Sequence, residues 1–196
     1  KLGLCGPSGA GKSTILKTAL GLYPLEKGAV YFEGLPLSPQ NIQTLRSLTA
    51  YIAQEPVLAA DSVKQAILLP FQFKAHRDNQ PSQADLDKVL QRLHLPKSIL
   101  DQDCQRISGG EKQRIALARG LLLGKSLFLL DEVTSALDAE SKQAVIEVFS
   151  DPNLTVLSVA HDSKWLAFCD QVLTLEAGHL LNANSIIPIE SFLAMR

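Results

Sequence analysis

No stretch of this sequence is apolar for long enough to cross a bilayer. A spanning helix takes about 18–20 uninterrupted apolar residues, and the most apolar region, Leu121 to Leu130, is broken by Gly124, Lys125 and Ser126. If a membrane is involved, another polypeptide or a further segment spans it. An excess of one charge is missing as well. The 19 Lys and Arg residues nearly balance the 20 Asp and Glu, for a formal net charge of -1. Scattered, balanced charge argues against the concentrated basic surface that nucleic-acid binding normally needs, so no nucleic-acid partner is expected. Cysteine is scarce: Cys5, Cys104 and Cys169 are odd in number and far apart. That argues against a disulfide framework or metal-ligand spacing and for reduced thiols in a cytosolic protein. No signal peptide is expected within this sequence, because Lys1 leads at once into a strand and a Gly-rich loop. Internal repeats, low-complexity tracts and heptad runs are absent. The first residue is Lys rather than Met, and the expectation is that the natural N-terminus lies upstream.

What is present is ordinary globular material. With 196 residues, 46% hydrophobic and 20% charged, there is room for one domain with a full core, or one core plus a small lobe. Lys1 to Cys5 reads as a buried strand, Gly6 to Gly11 as a loop, and Lys12 to Leu20 as a helix closed by Gly21. Ala29 to Phe32 reads as a strand ending in a Glu33-Gly34 turn, and Leu48 to Ala53 as another strand. From Pro56 to Ile107 the pattern changes to a small helical lobe. Asp61 or Ser62 caps a helix to about Leu69, Pro70 to Pro81 is a polar loop, and Ser82 opens an amphipathic helix with Leu86, Val89, Leu90 and Leu93 on one face. Alternation then resumes: helix Gly110 to Leu123, strand Leu127 to Leu130, helix Ala139 to Ser150, strand Thr155 to Val159, and a hairpin around Gly178. Short apolar runs without alternation indicate a parallel sheet covered on both faces.

Three segments carry chemistry. Gly6-Pro7-Ser8-Gly9-Ala10-Gly11-Lys12-Ser13, followed by Thr14, fits the phosphate-loop pattern between a strand and a helix. Its glycines let backbone N–H groups turn around phosphate oxygens, and the helix N-terminus adds partial positive charge. Lys12 is placed for the β- and γ-phosphates and the Ser13 hydroxyl for Mg²⁺. Leu127-Phe128-Leu129-Leu130-Asp131-Glu132 is an apolar strand ending in two acids at the edge where open α/β sheets bind ligands. Asp131 would hold Mg²⁺ through water, and Glu132 would polarise the attacking water. Ser108-Gly109-Gly110-Glu111 is a capping box, but capping alone does not call for two glycines. Their exposed N–H groups make a second anion site, which a second molecule's nucleotide would use.

In order along the chain, Gly6–Thr14, Gln54, Ser108–Arg114, Asp131–Glu132, Ser135–Asp138 and His161 resemble the Walker A loop, Q-loop, signature, Walker B, D-loop and H-loop of the ABC ATPase family. The resemblance covers nearly the whole chain. It implies an α/β P-loop NTPase, a mostly parallel sheet flanked by helices, forming one ABC ATPase domain over 1–196 with a helical subdomain inserted at about 56–107. It implies that ATP and Mg²⁺ are the cofactors and that Gln54 touches Mg²⁺ or the attacking water. Ser108, Gly109 and Gly110 would close on the γ-phosphate held by a second copy in a head-to-tail, ATP-dependent dimer. Asp138 would lie at the dimer seam while capping the helix at Ala139, and His161 would be the switch histidine on the γ-phosphate. His76, His94 and His179 correspond to nothing in the family and read as surface or packing residues.

Ile107 stands where the family usually has Leu, and Glu111 where many members have Gln. The family's N-terminal strands and adenine-stacking aromatic are expected upstream of Lys1, so neither Tyr31 nor Tyr51 takes that role. Tyr51 to Pro56 with Asp61 to Val63 resembles export-type members. Asp101 to Arg106 lacks the Glu-Gly-rich segment of fused multidrug exporters, and Leu68 to Phe73 resembles the stand-alone bacterial iron-efflux (Fet) type. That resemblance implies an ATPase driving export of a solute, a metal ion or iron among the candidates. An integral membrane permease subunit would hold it at the cytoplasmic face of the inner or plasma membrane. The alternative is a non-transport ABC ATPase acting on nucleic acid or ribosomes. The compact span from Gln54 to Ser108, without heptads or cysteine pairs, disfavours it. A kinase-like phosphotransferase is disfavoured by the signature and His161.

Overall fold

The computed structural model describes residues 1–181; the remainder of the domain expected over 1–196 lies outside the described residues. β1 (Leu2–Cys5) runs through the Gly-rich loop into α1 (Lys12–Ala19). That helix ends where left-handed Gly21 donates to Thr18 O at 2.8 Å and Leu22 donates to Lys17 O at 2.9 Å, the paired closing bonds of a Schellman motif. The strand expected at Ala29–Phe32 contracts to β2 (Tyr31–Phe32), which pairs with β3 (Leu35–Pro36) in a hairpin separate from the main sheet. Glu33 at φ 51° and Gly34 at φ 74° supply the two positive torsions of its tight turn. α2 (Ile42–Leu48) has no sequence signal: seven residues long, it gets no side-chain cap from Asn41, whose Oδ1 accepts from Ser38 N instead.

β4 (Thr49–Ile52) leads to α3 (Val63–Leu68), and of the two expected caps it is Ser62 that closes a capping box with Gln65. The stretch expected as a polar loop at Pro70–Pro81 holds two short 3-10 turns, and Phe71 within it is 1% exposed. α4 (Gln83–Arg92) opens on a Ser82–Asp85 capping box and buries Leu86, Val89 and Leu90 as its spacing requires. α5 (Gly109–Leu122), β5 (Leu127–Asp131), α6 (Ala139–Phe149) and β6 (Thr155–Val159) follow, and α7 (Ser163–Phe168) is a further helix without a sequence-stretch assigned to it. Asp162 caps α7 by accepting from Trp165 N at 3.0 Å. β7 (Gln171–Glu176) and β8 (His179–Leu180) form the expected closing hairpin.

The main sheet has the order β4-β5-β6-β1-β7-β8, parallel throughout except for the β7–β8 pair. Strand side chains alternate between faces. Phe128, Leu130 and Val156 pack with Leu117, Val145, Phe149 and the lobe residues Ile67, Leu90 and Ile99 on one face. Leu129, Val159, Leu4 and Leu173 pack against Leu16 and Leu20 of α1 on the other. The helices from α3 to α5 therefore share a continuous core with the sheet. Among the described residues, no helix is long and apolar enough to cross a membrane.

Because β4, β5, β6 and β1 are parallel neighbours, their carboxyl ends lie along one edge. Gln54, Asp131 with Glu132, His161 and the Gly6–Lys12 loop follow those four ends directly. This is the edge at which α/β sheets bind ligands.

Candidate active site

The loop after β1 closes tightly on the sheet. Gly6 has φ 139°, and a Cβ there would lie 1.9 Å from the Leu175 carbonyl oxygen of β7. Gly9 and Gly11 are left-handed in open surroundings, so their need for glycine is conformational. The Lys12 ammonium bridges the loop, donating to Gly6 O and Pro7 O at 2.9 Å each, and the residue is 5% exposed. Pro7, Ser8, Gly9 and Thr14 are exposed, Ala10 is buried, and Gly11 is the N-cap of α1. The first-turn N–H groups of α1 and the Lys12 ammonium therefore lie together at this loop, an arrangement that can receive an anion.

Ser13 Oγ donates to Asp131 Oδ1 at 2.8 Å, and Asp131 is 4% exposed. A hydroxyl and a buried carboxylate in contact form the all-oxygen donor set that suits a hard divalent cation, so these residues fit Mg²⁺. The other carboxylate oxygen, Oδ2, accepts from the Tyr51 hydroxyl at 3.2 Å. Burial pushes the Tyr51 phenol up to about 12, with the negative charge of Asp131 and the hydrogen bond to it adding to the effect. Sequence reasoning gave Tyr51 no role. The available signal was strand register: Tyr51 pairs with Leu129 on β5, and Asp131 lies two residues further along the same face.

Glu132 leaves the strand in a left-handed conformation, φ 51°, with its N–H donating to Val159 O at 2.9 Å. Such a torsion at a non-glycine residue costs about 1–3 kcal/mol and persists only where the surroundings impose it. It brings the carboxylate between two partners. Gln54 Nε2 donates to Oε2 at 3.0 Å, and His161 Nε2 lies 3.5 Å from Oε1. The contact of Gln54 is thus with Glu132; among the described residues its side chain has no hydrogen bond to Ser13 or Asp131.

At α5 the capping box is complete: Ser108 N donates to Glu111 Oε2 at 2.8 Å and Glu111 N to Ser108 Oγ at 3.2 Å. Gly110 has a second reason to be glycine, since a Cβ would lie 2.7 Å from Ala136 O in the turn that follows β5. Asp138 caps α6 by accepting from Ser141 N at 2.7 Å, and that bond holds its carboxyl below the usual range. Gly6 to Ser13, Gln54, Asp131, Glu132 and His161 thus gather at one edge. Ser108 to Gly110 belongs to a separate contact with Ala136. Of the remaining histidines, His94 meets Glu140 at 3.2 Å and His76 lies edge-on to Phe71.

Comparison with known families decides the identity. The model of the ABC transporter family matches residues 1–135. The chain belongs to the ABC transporter family. As an ATPase domain of that family it binds and hydrolyses ATP. This ABC ATPase is 39% identical over 186 residues to the probable iron export ATP-binding protein FetA of Escherichia coli K12, covering 92% of this chain and 81% of that protein. It is 31% identical to the mitochondrial iron-sulfur clusters transporter ATM1 of Candida albicans, of which it spans only 25%. Among solved structures, a bacterial Atm1-family ABC exporter with ATP bound superposes with a TM-score of 0.79 at 27% identity, covering 92% of this chain and 32% of that one. A dimeric ATP-binding cassette bound to ADP and phosphate superposes at 0.78 with 24% identity, covering 92% of this chain and 82% of that one, a likeness of fold.

Proposed function

We propose that this ABC ATPase drives export of a metal ion, iron first among the candidates, through a separate integral membrane subunit at the cytoplasmic face of the inner or plasma membrane. The likeness to FetA, which extends over 81% of that protein, supports the cargo and the direction. The observation that carries the catalytic part is the Glu132 carboxylate, held between Gln54 and His161 directly after the Ser13–Asp131 pair.

The phosphate loop from Gly6 to Thr14 holds the triphosphate through backbone N–H groups, and Lys12 turns its ammonium from loop carbonyls to β- and γ-phosphate oxygens. Ser13, Asp131 through a water, and Gln54 would hold Mg²⁺, which when bound would supply positive charge to those oxygens. The Glu132 carboxylate takes the proton of a water whose oxygen attacks the γ-phosphorus. The bond from that phosphorus to the bridging oxygen breaks, leaving ADP and phosphate. Gln54 and His161 orient Glu132 and the γ-phosphate. A second copy supplies Ser108, Gly109 and Gly110 to the same γ-phosphate in a head-to-tail dimer, whose two-fold symmetry satisfies both sites at once. The 56–107 lobe, inserted in the 1–196 ATPase domain, passes closure and opening to the membrane subunit.

The test uses the full-length protein. Glu132→Gln should bind ATP, turn over at least about a hundredfold more slowly, and elute as a dimer with ATP in the absence of Mg²⁺. Adding Ser108→Arg should return it to a monomer. Near-normal turnover would remove Glu132 as the base, and a dimer indifferent to ATP would remove the shared-nucleotide assembly. For the cargo, iron-loaded cells lacking the gene should retain more iron than the parent; equal retention would sink the iron assignment.

A further inference from the structure

Gln113 lies on α5, one turn beyond Gly109 and Gly110, and is 1% exposed. Its Nε2 donates to the backbone carbonyl of Gln54 at 2.9 Å and reaches that of Glu132 at 3.5 Å. One amide NH₂ group, with its two hydrogens, thus spans the main chains of the two residues whose side chains meet at 3.0 Å. Its own Oε1 is buried and, among the described residues, has no hydrogen-bond partner. An orphaned buried acceptor is unfavourable, so a leucine of similar size would serve packing better. Glutamine at this place is explained by what its NH₂ group holds. Two turns further along α5, Arg119 donates to Val57 O at 3.1 Å and to Leu58 O at 3.5 Å. Both ends of the 54–58 segment therefore hang from α5, the helix that begins with Ser108.

We propose that Gln113 is a positioning residue for hydrolysis. Its amide sets the spacing between the Gln54 and Glu132 main chains, fixes the Gln54–Glu132 side-chain contact, and ties that contact to α5. A displacement of the α5 N-terminus is thereby felt at the water-polarising carboxylate. The inference rests on the reading of Glu132 given above. A hydrogen bond at the main chain of a strained left-handed residue is where a small shift has a large effect, because about 1 Å of misplacement can cost a hundredfold in rate.

The experiment compares Gln113→Leu, Gln113→Met and Glu132→Gln in the full-length protein, measuring kcat, KM, Mg-free ATP binding and Tm. Both Gln113 variants should lose at least about tenfold in kcat, with KM and ATP affinity held within about twofold and Tm unchanged or raised. Adding Gln54→Ala to Gln113→Leu should cost less than it costs the parent, because the two act through one contact. Wild-type kcat in both variants, or losses of kcat, affinity and Tm together, would assign Gln113 to packing and overturn the proposal. Failure of both variants to fold would do the same. If Glu132→Gln is inert while the Gln113 variants are normal, only the Gln113 role falls. If Glu132→Gln itself turns over normally, the reading beneath falls and the proposal with it.

Discussion

Ser13 and Asp131 stand 118 residues apart in sequence, yet the Ser13 hydroxyl donates to the Asp131 carboxylate at 2.8 Å. α1 carries the first over the sheet from the carboxyl end of β1, and β5 carries the second to the same edge. Only β6 separates the two strands, so one helix start reaches across it.

The Tyr51 hydroxyl orients the other oxygen of that carboxylate. Groups that hold a metal ligand in place typically matter about 10–100-fold in metal affinity. Tyr51→Phe should raise the Mg²⁺ concentration needed for half-maximal ATPase activity by about tenfold, leaving Mg-free ATP binding as in the parent. A Mg²⁺ titration checks this, and an unchanged midpoint would leave Tyr51 a packing residue.

Lys12 donates to two loop carbonyls and is almost fully enclosed. On the proposed reading, its exchange to phosphate oxygens would form charge-assisted contacts worth about 1.5–3 kcal/mol. Lys12→Ala should weaken ATP binding about ten- to a hundredfold, as read by equilibrium binding of a fluorescent ATP analogue. Parent-like affinity would contradict the role.

Gly6 and Gly9 should respond differently to alanine. At Gly6 the new methyl meets the Leu175 carbonyl oxygen, a backbone atom that cannot turn aside; at Gly9 nothing lies within 4 Å. Gly9→Ala incurs the left-handed backbone cost of about 1–2 kcal/mol, and Gly6→Ala adds displacement of β7 to a similar torsional cost. Urea unfolding should rank the parent above Gly9→Ala and Gly9→Ala above Gly6→Ala. The reverse order would mean the loop does not close on β7.

Asp162 accepts from Lys142 and caps α7 through Trp165 N. The Lys142 contact holds its carboxyl below the ordinary value of 3.8, against an opposing effect of burial, with the cap bond adding to the lowering. A depressed carboxylate contributes stability above its unfolded value and loses it as pH falls through the folded one. Asp162→Asn should therefore lower Tm at neutral pH, and the gap to the parent should close as pH drops below 3.8. A gap independent of pH would mean that charge is not what Asp162 contributes.

How far the sequence could be read depended on how local the signal was. The α4 face, the Ser82 and Ser108 caps and the phosphate loop all lie within a few consecutive residues, and all were legible. α2 and α7 were not, being seven and six residues long with little periodicity to detect. Phe71 sits between Pro70 and polar neighbours and reads as loop, yet the lobe's packing encloses it completely.

The sequence by itself determined the chemistry available: a Gly-rich loop with Lys12 and Ser13, two acids ending an apolar strand, and a glycine-rich capped helix. Each is a contiguous pattern whose local backbone follows from residue type. Tertiary structure alone decided which of these groups touch. Gln54 meets Glu132, Tyr51 meets Asp131, and Gln113 spans two main chains, because strand order and register bring together residues that no local spacing relates.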